Sequence, residues 1–394
     1  MNGHTPRMDA CLIYGPGLAA YDLGVDHPLR PERFTLAVAL MQAYGLLSAP
    51  GNDLPGTLDV IEPIAANDSE LLLAHSPAYI AAVREASGSS PARWIPRAGL
   101  GTPDTPAFPG MHEAAALVAG ATLTATRAVL SGRWRRAFSV AGGLHHAHRT
   151  HAAGFCVYND CAVAIAAALK ADPALRILYI DIDAHHGDGV QAAFYDDPRV
   201  LTISVHETGD RLYPGTGYPI ERGCGHGEGS AVNVPLPEGA TDACYRRVFE
   251  RVIEPAAAGS RADLVVAQCG ADAHHADPLT SLGLTTDGYR DCVRRIIAIA
   301  EGCADGRLVA CGGGGYGWQN VVPRCWTVLA SELAGSSLPD ALPEPWREGA
   351  RRVSGVEPPL ALLEDDFTVP AEAEARLLEA TDITCDEVTS WIHI

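Results

Sequence analysis

The residues best suited to chemistry lie in one short stretch, 177–189, where an apolar run ends in three carboxylates and two imidazoles. An unpaired carboxylate in a dry interior is costly, so aspartates at the end of a buried strand require a cation or close hydrogen-bond partners. If the strand continues, Asp181, Asp183 and His185 share one face and present two oxygen ligands and one nitrogen ligand. The stretch therefore predicts a site for a divalent metal.

A third protein ligand is expected at Asp272, which follows the apolar segment 263–268 as Asp183 follows its own segment. With Asp183, His185 and Asp272 bound, a tetrahedral zinc ion keeps its fourth position open, which is typical of a catalytic site. The oxygen-rich ligand set also suits Fe²⁺ or Co²⁺. An open metal centre predicts hydrolysis or hydration chemistry.

His145 and His146 form a dipeptide that could move protons beside such a metal. A histidine in this role needs a carboxylate on its far ring nitrogen to orient it, and Asp181 and Asp188 are available for that purpose. A His-His dipeptide by itself is more often a surface or core feature than a catalytic one. The surplus aspartates are what favour a catalytic role here.

Tyr316 ends a run of four glycines, residues 312–315. The run lacks the Gly-x-Gly-x-x-Gly spacing and the following Lys-Ser/Thr of nucleotide-binding loops, which argues against a phosphate site. The glycines would instead let the backbone pass close to the metal and bring the Tyr316 hydroxyl to a developing oxyanion. The alternative is that Tyr316 is simply a packed aromatic side chain.

Alternating strands and helices must position these residues, since apolar or β-branched segments recur between Ala-rich segments with helical spacing. The predicted strands are 136–140, 176–180, 200–205, 263–268 and 307–311, and the predicted helices are Met111–Leu130 and 160–170, the second capped by Asn159 or Asp160. This order predicts one α/β domain with a doubly wound, mostly parallel sheet and helices on both faces. Because ligands bind beyond the carboxyl ends of such strands, the polar residues after the five strands are expected to converge.

The composition is that of a globular enzyme of 394 residues, 47% of them hydrophobic, with no linker or low-complexity tract. A formal net charge of −19 argues against nucleic-acid binding and mildly favours cationic partners. Residues 355–394 contain ten acidic residues and one arginine, for which a solvated tail is the simplest interpretation. The eleven cysteines are scattered, which argues against a disulfide framework. Because the start of the chain lacks a signal pattern and the apolar runs are short, we expect a cytoplasmic protein without a membrane anchor.

The chain resembles the zinc-dependent histone deacetylase superfamily, in particular its bacterial acetoin-utilisation branch, over about residues 27–330. The resemblance rests on motifs that follow one another along the chain. They are HPLRPER at 27–33, AGGLHH at 141–146, GFCVYND at 154–160, DIDAHHGDG at 181–189, PGTG at 214–217, QCGAD at 268–272, DPL at 277–279 and GGGGY at 312–316. The arginase/deacetylase fold that this resemblance implies agrees with the sheet expected above.

The resemblance also implies a role for each polar residue of the site. The three metal ligands named above would hold zinc, and Tyr316 would stabilise the tetrahedral oxyanion. His146, paired with Asp188, looks like the general base and acid. His145, paired with Asp181, looks like its electrostatic partner.

A structural potassium ion and an acyl-lysine tunnel are further implications of the resemblance. The potassium ligands would be Asp181, the hydroxyl of Ser204, and backbone oxygens of Asp183, His185 and Val205. Asp104 resembles a rim aspartate that holds the substrate backbone. The remaining substrate-binding positions would be Gly154, Phe155, Tyr213, Leu279 and Gly314.

The chain departs from the family pattern at two places. Leu212-Tyr213 precedes the Pro-Gly-Thr-Gly motif where many relatives have two aromatic residues, so one tunnel wall would carry a phenol hydroxyl, which bears on the acyl chain accepted. His274 and His275 directly follow Asp272. We expect them at the rim or behind the ligands, because three protein ligands suffice for a catalytic zinc.

Three other functions share part of this pattern of residues. An arginase-like binuclear hydrolase shares the Asp183-Ala184-His185 signature, but Gly187 stands where a second metal would need a carboxylate. Acetylpolyamine hydrolysis, or hydrolysis of another small acyl amide, would use the same residues and stays open. An inactive acyl-lysine-binding scaffold would be expected to have lost Tyr316, a histidine or a ligand, and none is missing.

The function expected from the sequence is metal-dependent hydrolysis of Nε-acetyl-lysine in a protein or peptide, with release of acetate. By family analogy an acetylated acyl-CoA synthetase is a candidate substrate, whereas the sequence does not predict the oligomeric state. We expect an N-terminal segment at 1–20, a catalytic domain at 21–335, and an acidic C-terminal extension at 336–394 that packs on the domain or trails from it.

Overall fold

One nine-stranded sheet forms the centre of the molecule in the computed structural model, which describes residues 8–48, 54–88, 94–363 and 367–392. The strands are β1 Met8–Ile13, β2 Leu47–Ser48, β3 Leu58–Ile61, β4 Trp134–Ser139, β5 Ile177–Asp181, β6 Val200–Glu207, β7 Ala231–Leu236, β8 Leu264–Gln268 and β9 Leu308–Cys311. Their order in the sheet is β2-β3-β1-β4-β9-β8-β5-β6-β7, and each neighbouring pair is parallel. The predicted α/β class is therefore confirmed.

Twelve α-helices are present in the described ranges, with a π-helical turn at Phe249–Ile253 between two of them. They are α1 Glu32–Ala43, α2 Asp68–Leu71, α3 Pro77–Ala86, α4 Met111–Leu130, α5 Asp160–Ala171, α6 Asp188–Phe194, α7 Asp242–Val248, α8 Glu254–Ser260, α9 Thr286–Cys303, α10 Val321–Leu333, α11 Glu344–Ser354 and α12 Ala371–Thr389. One group, α3 to α6, packs together, and α1 and α7 to α10 form a second group. The two groups cover the sheet.

The five predicted strands correspond to β4, β5, β6, β8 and β9, which are consecutive neighbours in the order β4-β9-β8-β5-β6. Parallel pairing places their carboxyl ends at one edge, and the register puts Asp181 beside both Ser204 and Gln268. The expected convergence after five strands is thus built into the sheet. The prediction missed β1, β2, β3 and β7. Strand β2 has only two residues, Asp59 interrupts the apolar pattern of β3, and Pro235 interrupts that of β7.

The shared face considered for the metal residues required the strand to continue past Asp181. It does not continue, because β5 ends at Asp181. The chain then turns, with the backbone N–H of Asp183 donating to Oδ1 of Asp181 at 3.1 Å and that of His185 donating to Oδ1 of Asp183 at 3.0 Å. Side-chain hydrogen bonds in this turn, rather than strand alternation, bring the two metal residues together.

The acidic C-terminal region packs on the domain instead of forming a solvated tail. Trp346 of α11 is buried against Leu36 and Leu40 of α1. Helix α12 contacts α7 and β7, and Asp382 on it pairs with Arg247 at 3.0 Å and with Arg251 at 2.8 Å. At the other end of the chain β1 lies between β3 and β4, so part of the predicted N-terminal segment belongs to the central sheet, while its residues 1–7 lie outside the described residues.

Among the described helices, only α4 has the length and apolar composition of a membrane span. It is mostly buried and contacts β1, β4, β9 and α5. The core helix of a globular protein shows the same composition, and the contacts of α4 are those of a core helix.

Candidate active site

Three side chains that could bind a metal meet at the carboxyl ends of β5 and β8. Asp183, His185 and Asp272 are buried, and one ligand atom from each lies within 4.8 Å of the others. The backbone N–H of Ala184 donates to Oδ1 of Asp272 at 2.8 Å, which joins the two loops that carry the cluster. The three residues predicted from the sequence as metal ligands are therefore brought together.

The charges in this cluster favour a cation. The ring Nδ1 of His185 lies 3.1 Å from Oδ1 of Asp183 and 2.9 Å from Oδ2 of Asp272. Burial opposes a charged imidazole, but the two carboxylates outweigh it and raise the pKa of His185 to about 10, while burial and the charge of Asp183 raise the pKa of Asp272. Two buried carboxylates and one imidazole are a donor set that Zn²⁺, Fe²⁺ or Co²⁺ fits.

Two His–Asp pairs stand beside the cluster. Nδ1 of His145 lies 2.8 Å from Oδ2 of Asp181, and Nδ1 of His146 lies 2.7 Å from Oδ1 of Asp188. The Nε2 atoms of the two rings are 3.1 Å apart. The pairing is the one that the family resemblance implies. The carboxylate oxygen nearest to either Nε2 atom is Oδ1 of Asp183, which lies 3.9 Å from Nε2 of His145.

The two imidazoles differ in charge although they are adjacent. Burial disfavours the charged form of His145, but Asp181 and Asp183 outweigh it and raise its pKa to about 9. Burial, reinforced by the positive charge of His145, lowers the pKa of His146 to about 4. These opposite shifts in pKa favour the charged form of His145 and the neutral form of His146, whose Nε2 can then accept a proton.

The start of α5 holds the loop that carries these histidines. Asp160 accepts hydrogen bonds from the backbone N–H groups of Gly143 at 2.9 Å and Leu144 at 2.7 Å. Asn159, the N-cap residue of α5, donates from its side chain to the carbonyl oxygens of His145 and Ala147. Asn159 also caps α5 by accepting from the N–H of Ala162 at 2.9 Å, so the residues that begin the helix hold the loop as well.

Glycines in the segment before Tyr316 allow the backbone to touch the metal residues. A Cβ atom on Gly314 would lie 2.2 Å from Oδ2 of Asp272, and the N–H of Gly314 donates to Oδ2 of Asp183 at 2.7 Å. The N–H of Tyr316 donates to Asp277 at 2.7 Å, and its ring centre lies 6.3 Å from that of His185. Burial raises the pKa of Tyr316 well above its usual range, so the phenol remains a hydrogen-bond donor.

Two of the predicted tunnel residues, Gly154 and Tyr213, lie against His146. A Cβ atom on Gly154 would be 2.2 Å from Cδ2 of His146, and the ring of Tyr213 packs edge-on against that imidazole at 5.1 Å. Phe155 has a φ of 67°, which is uncommon for a residue with a side chain, and its carbonyl accepts a 2.7 Å bond from the hydroxyl of Tyr21. The close approach requires glycine at 154.

The outer predicted residues are exposed. Leu279 has 39% of its surface accessible and Tyr213 has 46%, whereas Tyr316 is buried. Asp104 is exposed, and its carbonyl oxygen lies 3.2 Å from Nε2 of His27. The exposed Asp104, Tyr213 and Leu279 are candidates for the rim of a substrate opening above the buried metal residues.

Gly187 lies where a second metal site would need a carboxylate. A Cβ atom there would be 2.4 Å from Oδ2 of Asp181 and 3.5 Å from Nδ1 of His145. A side chain at this position would collide with a His–Asp pair. The structure therefore agrees with a mononuclear rather than an arginase-like centre.

The predicted potassium residues are close together behind the metal cluster. Asp181 at the end of β5 is the register partner of Ser204 in β6, next to Val205. The hydroxyl of Ser204 lies 2.9 Å from Nδ1 of His206, and Asp181 also accepts from the hydroxyl of Tyr179 at 2.7 Å.

Two residues with direct contacts in the site were not singled out from the sequence. Gln268 donates to Oδ2 of Asp183 at 2.6 Å and to the carbonyl of Gly143 at 3.2 Å. Asp277 accepts from the backbone of Tyr316 and Gly317. A signal existed for Gln268, because it is a polar residue at the end of an apolar strand, as Asp181 is.

The two histidines after Asp272 are outside the metal cluster. His274 is buried, and its Nε2 lies 3.2 Å from the hydroxyl of Thr286. His275 stacks on His274 and on Phe367, with ring centres 4.5 Å and 4.4 Å away. Their positions behind the ligand loop agree with the expectation that they do not bind the metal.

A buried histidine beneath the loop makes stability depend on pH. His75 has Nδ1 3.0 Å from the carbonyl of His148, its Nε2 accepts from the N–H of Asn159, and burial lowers its pKa to about 4. The unfolded chain binds the proton near pH 6.5, so the stabilisation is present above that pH and is lost as the pH falls towards 4. The free-energy difference of unfolding between wild type and His75→Gln should shrink by about 2 kcal/mol from pH 7.5 to 5, measured by urea unfolding. A difference that does not change with pH would contradict this account.

Comparisons with known proteins agree with this geometry. The histone deacetylase domain family matches residues 27–333. The acetoin utilization protein AcuC of Bacillus subtilis (strain 168) is 42% identical over 339 residues, which is 86% of this chain and 85% of that protein. Histone deacetylase 9 of Arabidopsis thaliana is 36% identical over 84% of this chain and 75% of its own length.

A solved structure gives the same result. The crystal structure of an HDAC homolog from Aquifex aeolicus superposes with a TM-score of 0.80 at 30% identity and covers 94% of this chain and 99% of that one. The family implies a metal cofactor, for which the buried Asp183, His185 and Asp272 offer a site. The chain therefore belongs to the histone deacetylase superfamily, within the AcuC branch, and is a hydrolase of the deacetylase type.

Proposed function

We propose that the protein hydrolyses the Nε-acetyl amide of lysine in proteins or peptides and releases acetate. The observation that carries this proposal is the arrangement at the base of the opening. Two imidazoles, each oriented by its own aspartate, stand beside the buried metal residues, and the ring of Tyr316 lies 6.3 Å from that of His185. Hydrolysis of an unactivated amide requires an electrophile, a base and an oxyanion donor together, and this arrangement supplies all three.

The metal residues would be Asp183, His185 and Asp272. A bound Zn²⁺, with Fe²⁺ or Co²⁺ as alternatives, would supply polarisation of the acetyl carbonyl and activation of water. A structural K⁺ would be held by Asp181, Ser204 and backbone oxygens of Asp183, His185 and Val205. The mutual positions of β5 and β6 support this assignment.

His146 is our choice of general base. Its Nδ1 is held by Asp188, so its Nε2 is the nitrogen that can take a proton from the attacking water. Its lowered pKa keeps it neutral before the attack. His145, held in the charged form by Asp181, would stabilise the negative charge that develops on the substrate.

Tyr316 would donate its phenol proton in a hydrogen bond to the oxygen of the acetyl carbonyl as that oxygen becomes negative. When the C–N bond breaks, the proton held by His146 passes to the leaving amine. The two protons of water end on lysine as its ammonium group, and the oxygen ends in acetate. Amide and water are thus converted to lysine and acetate with no net proton release at neutral pH.

Substrate binding would use the residues around the opening. The alkyl chain of acyl-lysine would pass between aromatic side chains, and the exposed Asp104 would accept hydrogen bonds from the peptide backbone. The proposed contacts are Asp104, Gly154, Phe155, Tyr213, Leu279 and Gly314. The negative charge of the whole chain favours a lysine-bearing partner.

The setting of the reaction is part of the proposal. We propose a cytoplasmic enzyme that acts on an acetylated protein, with an acyl-CoA synthetase as a candidate, and that binds neither nucleic acid nor membranes. The catalytic domain would include β1 in addition to the expected residues 21–335, and residues 336–394 would form an extension whose helices α11 and α12 pack on it. The bacterial AcuC relatives support the cytoplasmic location.

Turnover of an acetyl-lysine peptide against N-acetylspermidine, by protein reconstituted with metal, tests the substrate class. We expect the larger kcat/KM for the peptide. Asp104→Ala should lower kcat/KM for the peptide by about tenfold, because a charge-assisted hydrogen bond contributes about 1.5–3 kcal/mol. The kcat/KM for N-acetylspermidine should change much less. A preference for acetylspermidine would overturn the protein-substrate proposal and leave an acetylpolyamine hydrolase.

A further inference from the structure

Asp188 contacts a second histidine besides His146. Its Oδ1 lies 2.7 Å from Nδ1 of His146, and its Oδ2 lies 3.1 Å from Nε2 of His148. Each carboxylate oxygen thus accepts one imidazole N–H. His146 is buried, whereas the side chain of His148 is 26% exposed.

His148 is itself fixed by the loop around it. Its ring stacks on that of His151 with centres 4.6 Å apart and planes 12° from parallel. Its carbonyl lies 3.0 Å from Nδ1 of His75, and its N–H donates to the carbonyl of His151. The ring therefore reaches Asp188 from a backbone that is held at two points.

A solvent-accessible cavity lies in front of this pair of rings. Its polar lining includes His148, Arg149, Thr150 and His151, and its apolar lining includes Phe194 of α6. Asp188 is the first residue of α6, and its side chain is 14% exposed. Without the His148 ring, Oδ2 would lose its imidazole partner, and the carboxylate, held on Oδ1 alone, could turn.

The orientation of Asp188 matters because it determines the tautomer of His146, that is, which ring nitrogen carries the proton. A carboxylate with both oxygens engaged has one orientation, which keeps the proton of neutral His146 on Nδ1 and leaves Nε2 able to accept. A carboxylate bound on one side only can rotate, and the imidazole then loses its fixed orientation.

We propose that His148 is a positioning residue, which holds Asp188 and through it keeps His146 in the orientation that general-base catalysis requires. This inference rests on the proposed function. His148 touches neither the substrate opening nor the metal residues in the described contacts, so its effect reaches the reaction through Asp188 alone.

Three variants of the metal-reconstituted protein separate positioning from a structural role. His148→Leu removes the donor and keeps a side chain of moderate size, while His148→Gln places an uncharged N–H donor near the position of Nε2. Arg149→Gln, on the same loop and exposed, is the matched control. Metal content, kcat and KM for an acetyl-lysine peptide are measured for each.

We expect His148→Leu to lower kcat by about tenfold, the lower end of the effects seen when a residue that orients a functional group is lost, with KM and metal content within about twofold of wild type. His148→Gln should restore most of kcat, and Arg149→Gln should match wild type. Equal losses in the Leu and Gln variants would overturn the positioning role, as would an unchanged kcat in His148→Leu or an equal loss in Arg149→Gln.

A spectroscopic measurement keeps this inference distinct from the proposed function. In the reconstituted wild type, the Nδ1–H of His146 should give a downfield proton resonance from its charge-assisted bond to Asp188, assigned by its loss in Asp188→Asn. The resonance should broaden or shift in His148→Leu and persist in His148→Gln. If the wild type hydrolyses no acyl amide, the proposed function fails while this resonance still tests the role of His148. A resonance unaffected in His148→Leu would overturn the inference alone.

Discussion

Asp272→Ala is expected to yield a folded protein that binds no stoichiometric metal and hydrolyses acetyl-lysine at least about a thousandfold more slowly than wild type. The metal supplies several kcal/mol of transition-state stabilisation, and about 1.4 kcal/mol corresponds to tenfold in rate. Asp272 is one of three buried ligands, so its loss leaves two. Metal analysis of the purified variant and its kcat/KM measure the two effects.

In the metal-free wild type, burial and the charge of Asp183 raise the pKa of Asp272. The variant loses this carboxyl together with its bonds to the N–H of Ala184 and to Nδ1 of His185, so metal content is measured on protein that circular dichroism shows to be folded. The control is His275→Gln, three residues further along the same loop, which should keep its metal. An Asp272→Ala protein loaded with one equivalent of metal would refute the ligand assignment.

Tyr316→Phe is expected to lower kcat by about two to three orders of magnitude, the usual cost of removing one oxyanion donor. The ring would still pack against Phe155, whose centre is 5.7 Å away, and the backbone N–H would still bond to Asp277. Metal content and the thermal midpoint should therefore stay at the wild-type values. Steady-state kinetics with an acetyl-lysine peptide and metal analysis of the same sample test this.

Tyr218→Phe is the matched control for this change. The hydroxyl of Tyr218 donates to Asp210 at 2.8 Å on the surface, so its loss should leave kcat unchanged. Near-normal turnover by Tyr316→Phe would exclude an oxyanion role for that residue. A large loss of metal in Tyr316→Phe would instead mean that the phenol supports the ligands.

The site could be foreseen because its residues follow apolar strands directly. Asp181 and Asp272 can be recognised as charged residues at the ends of buried segments. Because parallel strands have their carboxyl ends at one edge of the sheet, these residues are expected to lie close together. The strand β5 ended earlier than alternation suggested, because hydrogen bonds to the side chains of Asp181 and Asp183 turn the chain. Such local competition between side chain and backbone is not visible in hydrophobic periodicity.

Other features depend on contacts between residues distant in sequence. The pairing of His145 with Asp181 and of His146 with Asp188 is implied by the family resemblance. The residue types alone do not determine which histidine pairs with which aspartate. Helix α12 looked like a solvated acidic tail because its arginine partners, Arg247 and Arg251, lie more than 130 positions away. Composition records the charges of a segment but not the partners that neutralise them.

The most direct test of the central claim is a metal titration of the metal-stripped protein, with acetate release from an acetyl-lysine peptide as the readout. The account predicts that activity returns with Zn²⁺, Fe²⁺ or Co²⁺ and saturates at one equivalent, because three protein ligands form one centre and Gly187 leaves no room for a second bridging carboxylate. Activity that needs two equivalents, or that persists fully in the stripped protein, would contradict it.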